Sequence, residues 1–299
     1  MISVLKEIKP KNPILIAAWP GMGEVALQAT RYLCKQLKAQ PFAKLQTKKF
    51  FHQTDIAVKN GLLSLNTIAD SPFYYWENVL GQHDLIIFIS EFQPSSEKTF
   101  TYAQEILEFA ARLGVQTVFT FAALLTSNDL GVLPQIWAAA TDQKLMAEIQ
   151  RYNVRPMASG QVSGLNGLFL GIAKAKKLKG ACFLGEIPFY AVQIENPATS
   201  LRLLEAFSKF TGIKIDLYEL STAAKAMEEE IGRLVEYTQK SFGLEESSAP
   251  ITADDIDRIK KTLEAQRQIP HSARRDIEEL FLRAKNDVAC ALELKKKLD

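Results

Sequence analysis

Residues 160–216 read GQVSGLNGLFLGIAKAKKLKGACFLGEIPFYAVQIENPATSLRLLEAFSKFTGIKID, and this stretch decides the fold. It begins with a glycine-rich turn, continues through an apolar helical segment, and reaches a short apolar run typical of a buried strand. A Gly-Glu-x-Pro loop follows, and a second helix opens at Asn196-Pro197 and ends at Gly212. A turn, a helix, a strand and a helix in this order are typical of an α/β domain.

The rest of the chain alternates strands and helices in the same way. Apolar runs at 13–18, 84–90 and 115–121 predict strands covered on both faces, and amphipathic segments between them predict helices. Such alternation implies right-handed βαβ crossovers. Asn60-Gly61 between two strand-like runs predicts a hairpin, and therefore an antiparallel element. We expect a three-layer α/β/α sandwich with a mixed, mostly parallel sheet.

The character of the sequence changes near its end. Residues 243–250, GLEESSAP, are polar and rich in turn formers, as in a linker. Beyond them the sequence predicts two helices with an apolar seam that needs a partner surface: Ile277, Leu280, Phe281, Val288 and Leu292. We expect an α/β domain over residues 1–242 and a helical C-terminal appendage over 243–299, a helical hairpin that serves oligomerisation or docking.

The composition limits the classes of function. Of the 299 residues, 47% are hydrophobic and 23% are charged, which is ordinary for a soluble protein with an ample core. The formal net charge of +2 arises from interspersed charges, which disfavours nucleic acid as a partner. No run approaches the ~18–20 apolar residues that span a bilayer, so no membrane partner is expected. The first residues also lack the features of a signal peptide.

Cysteine and histidine usage indicates a reducing compartment and no metal centre. Cys34, Cys182 and Cys290 are far apart and lie in apolar segments, so we expect buried thiols in a cytoplasmic protein. The three histidines are isolated in the sequence, without the close spacing of metal ligands. No G-x-S-x-G nucleophile motif occurs. We assign no catalytic residue, no metal and no cofactor.

The turn Gly21-Met22-Gly23 has the form G-x-G-x-x-A between a strand and a helix. In a dinucleotide site such glycines let the backbone approach a pyrophosphate at the helix N-terminus. Here Glu24 puts negative charge where the phosphate would lie, and residues 41–50 contain no acid that could hold a ribose. The pattern therefore favours a tight structural turn, with a phosphate or nucleotide site as the alternative.

Two glutamates close predicted strands, Glu91 after 84–90 and Glu186 after 181–184. The carboxyl ends of strands face the ligand crevice of open α/β sheets. Carboxylates there bind a cation, perform acid–base chemistry, contact a partner, or cap neighbouring helices. With Gly164 and Asn166 of the glycine-rich turn and with Gly21, Met22 and Gly23, they form our predicted crevice for a ligand or partner.

Several motifs give the chain a family resemblance over residues 13–231. They are Pro20-Gly21-Met22-Gly23, the helix start Thr101-Tyr102-Ala103, the glycines 160, 164 and 167, the loop Leu184-Gly185-Glu186-x-Pro188, and the helix at Pro197. This set resembles the proteasome assembly chaperone 2 family. The resemblance implies an α/β/α fold related to nucleoside phosphorylases and hydrolases, with no accepted catalytic constellation. Relatives are often described as ATP-grasp carboxylate–amine ligases, but this sequence has no ATP-grasp residues.

The resemblance implies a non-enzymatic, homo-oligomeric protein-binding or assembly-chaperone-like protein. Its partners would be further copies of itself, since family members are often trimeric, and an unidentified protein. The aromatic run 73–76 could supply the self-contact or belong to the core. The alternative is a small-molecule or nucleotide-binding enzyme or sensor, ligase- or phosphorylase-like, that uses the crevice. The end Lys297-Leu298-Asp299 lacks the hydrophobic–Tyr–x motif of proteasome-docking relatives, so that docking mode is not expected.

Overall fold

A computed structural model describes residues 2–51, 56–65, 69–127 and 132–241. All of them belong to the unit Met1–Phe242. The helical appendage predicted over 243–299 lies outside the described residues, as do Cys290 and the apolar seam.

A nine-stranded sheet forms the middle layer of the fold, and a separate two-stranded hairpin lies between the third and fourth strands of that sheet in sequence. The strands, in chain order, are β1 (Ile2–Val4), β2 (Ile14–Ala18), β3 (Gln40–Leu45), β4 (Ile56–Lys59), β5 (Leu62–Leu65), β6 (Ser71–Trp76), β7 (Leu85–Ile89), β8 (Thr117–Thr126), β9 (Ile136–Ala140), β10 (Arg155–Pro156) and β11 (Lys179–Pro188). The sheet order is β1-β3-β6-β7-β2-β8-β11-β9-β10.

The four central strands, β7-β2-β8-β11, are parallel, and antiparallel strands flank them. On one side β6 runs antiparallel to β7, and on the other β9 runs antiparallel to β11. The mixed, mostly parallel sheet predicted from the sequence is confirmed. Its parallel part is the centre, where the apolar runs of the sequence lie.

Helices cover both faces of this sheet. They are α1 (Val25–Gln36), α2 (Thr99–Arg112), α3 (Gln143–Gln150), α4 (Leu165–Ala175), α5 (Pro197–Thr211) and α6 (Tyr218–Ser241). Buried residues of α1, α3, α5 and the start of α6 belong to the core on one face, and those of α2 and α4 belong to the core on the other. This arrangement is the expected three-layer α/β/α sandwich.

Strand β2 shows why a continuous apolar run becomes a central strand. Its side chains alternate between the two cores, with Leu15 and Ala17 in one and Ile14, Ile16 and Ala18 in the other. Both faces are covered, so every position has to be apolar. Burying a side chain such as Leu15 or Ile16 completely contributes about 1.5–3 kcal/mol relative to leaving it exposed. The strand therefore holds the two helical layers together.

The predicted hairpin is present as β4–β5, with Val58 opposite Leu63. Its turn residues Asn60 and Gly61 have φ values of 51° and 78°, the left-handed region that Asn-Gly tolerates. The hairpin pairs with no strand of the nine-stranded sheet among the described residues. Three apolar side chains of one face, at Ile56, Val58 and Leu63, are exposed.

Helix α6, with 24 residues, is the longest helix of the described part. At 1.5 Å per residue it is ~36 Å long, enough to cross a bilayer by length alone. Its residues include Glu228, Glu229 and Arg233, which are charged. Within the ranges that the structure describes, no helix is both long and apolar enough for a transmembrane span.

Candidate functional site

The crevice of an open α/β sheet lies where the chain leaves two neighbouring parallel strands in opposite directions. Here that point is between β2 and β8. Strand β2 leads through α1 to β3 on one side, whereas β8 leads to β9 on the other. Ligands of such folds bind outside the carboxyl ends of these strands, so this is the first place to look for a site.

The side chain of Asn166 lies in this crevice. Its Oδ1 accepts a hydrogen bond from the backbone N–H of Trp19 at 3.1 Å, and its Nδ2 donates to the Trp19 carbonyl at 3.2 Å. The hydroxyl of Thr120, in β8, donates to the Asn166 carbonyl at 2.6 Å. Asn166 is only 4% exposed. Its amide thus pairs with the backbone after β2 as a neighbouring strand would, and it joins the first residues of α4 to β2 and β8.

Gly21 and Gly164 lie beside Asn166, so the structure brings these three residues of the predicted crevice together. A Cβ on Gly21 would be 3.5 Å from Nδ2 of Asn166, and a Cβ on Gly164 would be 3.4 Å from Nε2 of Gln93. Gln93 Nε2 donates to the carbonyl of Pro20 at 2.7 Å. Gly164 also has a φ of 74°, which favours glycine. Gln93 was not predicted, because a polar residue after a strand carries no local signal for its partner.

The Gly21-Met22-Gly23 turn is tied to the loop that follows β11. The N–H of Gly23 donates to the carbonyl of Val192 at 2.7 Å, and the N–H of Asn196 donates to the carbonyl of Gly23 at 3.1 Å. The side chain of Met22 packs against the core on the α1 face. A phosphate would need the Gly23 N–H that Val192 occupies. The geometry therefore agrees with a structural turn.

Glu91 lies on the surface, away from Asn166. Its carboxylate pairs with the guanidinium of Arg31 in α1, with Nε and Oε1 3.3 Å apart and a second contact between Nη2 and Oε2. Both side chains are about half exposed. Solvent-exposed ion pairs contribute about 0–1 kcal/mol. Glu91 thus attaches the end of β7 to α1, and the structure places it in different surroundings from Glu186.

Glu186 is buried, and its carboxylate is held in place from the β9 side. Oε1 accepts from the indole Nε1 of Trp137 at 2.8 Å, and Oε2 accepts from the backbone N–H of Gln135 at 3.2 Å. The Glu186 carbonyl accepts from the hydroxyl of Thr199, in α5, at 2.6 Å. The carboxylate has a fixed orientation at the carboxyl end of β11.

A cavity of about 90 Å³ lies next to Glu186, past the ends of β8 and β11. The loop before α5 and the first half of α6 form its other walls. Most of the wall is apolar, contributed by Val132, Leu133, Pro188, Ile194, Ala224 and Met227. Two further glutamates line it, Glu195 before α5 and Glu228 in α6. Neither was predicted, because the position of Glu195 depends on the path of the loop before α5 and that of Glu228 on the packing of α6 against α5.

The remaining polar groups of this edge are structural. Trp19 Nε1 donates to the hydroxyl of Tyr102 at 3.2 Å, and the Ser71 hydroxyl donates to that of Ser90 at 3.0 Å. All four residues are buried, and burial raises the pKa of the Tyr102 phenol. Among the residues with described positions, no three His, Cys, Asp or Glu side chains form a group that could hold a metal ion.

The fold is an α/β sandwich in which Asn166 lies at the usual ligand position. Residues 15–235 match the model of the PAC2 family, so the chain belongs to this family, and the resemblance to the proteasome assembly chaperone 2 family is confirmed. A curated relative, the uncharacterized protein MJ1210 of Methanocaldococcus jannaschii, is 25% identical over 253 residues, which are 84% of this chain and 94% of that protein.

The chain also shares its fold with solved structures of other proteins. PbaB of Pyrococcus furiosus, an archaeal proteasome activator, is 28% identical with a TM-score of 0.67, and the match covers 79% of this chain and 98% of PbaB. A PAC2 family protein of Streptomyces avermitilis is 20% identical with a TM-score of 0.64, covering 74% of this chain and 95% of that one.

Proposed function

We propose that the chain is a non-enzymatic, homo-oligomeric protein that binds the proteasome or its subunits, as an activator or an assembly chaperone would. The observation that carries the proposal is the likeness to PbaB, an archaeal proteasome activator, at 28% identity over 98% of its length. The protein would work in the cytoplasm. Cys34 and Cys182, the two cysteines with described positions, are free and buried, which suits a reducing compartment. Neither nucleic acid nor membrane is a proposed partner.

Two features of the sheet's carboxyl edge support protein binding over catalysis. In the crevice between β2 and β8, Asn166 takes the backbone hydrogen-bonding groups of Trp19 that a small substrate of an α/β enzyme would otherwise meet. The same edge carries exposed apolar side chains, among them Leu133 at 70% and Phe189 at 44% exposure. Exposed apolar surface is typical of protein interaction sites.

The test uses an archaeal proteasome core particle. We expect the chain to co-sediment with the particle and to change its rate of peptide hydrolysis. The double variant Leu133→Ser, Phe189→Ser should weaken this association. The matched control is Val79→Ser, Leu80→Ser, which removes two side chains that are 82% and 100% exposed before β7, at the opposite edge. Absence of any association, or equal effects of the two double variants, would contradict the proposal.

Self-association is a separate part of the proposal. A trimer is the form that the family resemblance implies, and the predicted appendage 243–299 would contribute to the contact. Light scattering on the full chain at micromolar concentration should give a mass of more than one chain. A monomer at that concentration removes self-association from the proposal and leaves the proteasome test unaffected.

The second candidate function is a small-molecule or nucleotide-binding enzyme or sensor, and the fixed Glu186 carboxylate at the carboxyl end of β11 favours it. ATP, NAD and inorganic phosphate would be added separately in a thermal melt. We expect no change in Tm. A ligand present at about 100 times its Kd stabilises by about 2.7 kcal/mol, which raises the Tm of a domain of this size by about 5–10 °C. A rise of that size would favour the second candidate.

A further inference from the structure

The cavity next to Glu186 has the size of one side chain. Its volume is about 90 Å³, whereas pockets for cofactors and other small molecules usually measure about 300–1,000 Å³. It opens between the loop before α5 and helix α6, beside the exposed Leu133. A partner protein that covers this edge could therefore insert a single residue, as anchors at protein interfaces do.

The charges of the residues that line the cavity indicate which kind of partner side chain would bind there. Glu186 provides a buried carboxylate at the inner end, fixed by Trp137 and Gln135. Glu195 and Glu228 provide exposed carboxylates on two other walls. No Lys, Arg or His side chain is among the described residues that line the cavity. The potential inside is negative, and it favours a cation.

The N-terminus of α5 acts in the opposite direction, because a helix N-terminus carries about half a positive charge. Its positive potential is smaller than the negative potential of the carboxylates for two reasons. The side chain of Asn196 accepts from the N–H of Thr199 at 3.0 Å, and Pro197 has no N–H to offer. Three carboxylates outweigh half a charge. Among the described residues they do not form a group that could hold a metal ion, and the largely apolar wall suits a cation that carries an aliphatic stem.

We propose that this cavity receives an arginine or lysine side chain of a partner protein. The aliphatic stem would lie along the apolar wall formed by Val132, Ile194 and Met227, and the charged head would reach the carboxylates. The inference deepens the proposed function, because it names the chemistry by which the partner is recognised. It rests on that function only in taking the partner to be a protein.

Blocked amino acids test the proposal without knowledge of the partner. N-acetyl-arginine amide is titrated into the ¹⁵N-labelled full chain, and N-acetyl-citrulline amide serves as its neutral analogue of the same shape. The indole N–H of Trp137 is the reporter, because it donates to Glu186 at 2.8 Å. The chain has three tryptophans, and Trp76→Phe and Trp137→Phe variants assign their indole signals. We expect a saturable shift of the Trp137 signal with the arginine compound, and none with citrulline.

Removal of the outer charges should weaken this binding. In the variant Glu195→Gln, Glu228→Gln we expect the affinity for the arginine compound to fall by about 2- to 30-fold, since each exposed pair contributes modestly. The control Glu7→Gln, Glu97→Gln removes two exposed glutamates outside the cavity and changes the net charge equally. It should bind as the unchanged chain does, apart from a small salt-dependent effect.

Three outcomes would overturn the proposal: no saturable shift, an equal shift with citrulline, or equal affinities of the two double glutamate variants. Each of them leaves the proteasome assay untouched. A chain that associates with the core particle but does not bind the arginine compound loses only this inference. A chain that binds the compound but not the particle loses only the proposed function.

Discussion

Asn166 shows how a single side chain can take the position of a ligand. Its amide offers one donor and one acceptor, and the backbone of Trp19 offers the matching pair. Both residues are buried, so these groups have no access to water as an alternative partner. A buried backbone group left without a partner costs about 1–3 kcal/mol.

Replacement of Asn166 by alanine should therefore lower the free energy of unfolding by about 1–3 kcal/mol for each of the two Trp19 groups. Urea denaturation measures the change. The control is Gln93→Ala, which removes one exposed hydrogen bond to Pro20 in the same cluster. An Asn166→Ala variant as stable as Gln93→Ala would mean that the crevice closes without this amide.

Buried thiols predict a loss of stability at high pH. Burial raises the pKa of Cys34 to about 11 and that of Cys182 to about 12, from an ordinary value of 9.0. Above about pH 9 the unfolded chain loses thiol protons that the folded chain retains. The contribution of each thiol to the free energy of unfolding is fully present below that pH. It falls as the pH rises toward the thiol pKa values of the folded chain, by about 1–2 kcal/mol per thiol at about pH 10.5.

Urea denaturation at about pH 8 and about pH 10.5 measures this loss. The variant Cys34→Ala lacks one of the two thiols, so its stability should fall less between the two pH values. Equal pH dependence of the variant and the unchanged chain would show that the Cys34 thiol does not contribute.

The residues of the crevice could be predicted only in part. Gly21 and Gly164 lie in turns whose glycines are visible in the sequence, and Glu186 follows a recognisable strand. The pairing of Asn166 with Trp19 has no local signal, because the two are 147 residues apart. The separation of Glu91 from Glu186 follows from the strand order, because β2 and β8 lie between β7 and β11. Long-range packing decides these contacts.

At the scale of elements, the order of strands and helices follows from the sequence, but their lengths do not. Strand β8 was expected over 115–121 and is observed as Thr117–Thr126. Its last residues pair with the end of β11, with Leu125 opposite Ile187. The aromatic run 73–76 lies in β6, between β3 and β7, and Phe73 is fully buried. Pairing with β11 extends β8, and the position of β6 between β3 and β7 buries Phe73.

Helix α4 contains two glycines with opposite surroundings. A Cβ on Gly167 would lie 2.2 Å from the carbonyl oxygen of Val162, whereas a Cβ on Gly171 would have nothing within 4 Å. Alanine stabilises a helix by about 0.5–1 kcal/mol relative to glycine. Gly171→Ala should raise the free energy of unfolding by that amount.

The matched variant Gly167→Ala should lower the free energy of unfolding by about 1–3 kcal/mol, because the backbone of the preceding turn has to move. Thermal and urea denaturation of the two variants measure the difference. Equal stabilities would mean that the turn around Val162 adjusts without cost, and that the close packing of α4 against it is not required.

At the scale of the whole molecule, truncation tests the predicted division of the chain near residue 242. The buried apolar residues of the two faces extend from Ile14 to Ala224. A chain that ends at Lys240 should keep its circular dichroism spectrum and unfold cooperatively. We expect it to lose an assembly state, because the predicted apolar seam of 243–299 would be missing.

Sedimentation of this shortened chain beside the full chain measures the assembly state. Complete unfolding of the shortened chain would show that the appendage belongs to the domain core. If the shortened chain and the full chain form assemblies with the same number of subunits, the appendage has no part in association. The first result would revise the domain boundary near residue 242, and the second would remove the appendage from the proposed self-contact.

The hydrogen bonds between Asn166 and Trp19 can form only after the ribosome has added both residues. The two residues are 147 positions apart, and ribosomes add roughly 5–20 residues per second. Trp19 therefore waits roughly 7–30 s for its partner after it has been made. During that interval the carboxyl end of nascent β2 lacks its partner Asn166, and it is open to binding by cellular chaperones. A codon change that slows translation between the two positions would lengthen this exposure without altering one residue of the protein.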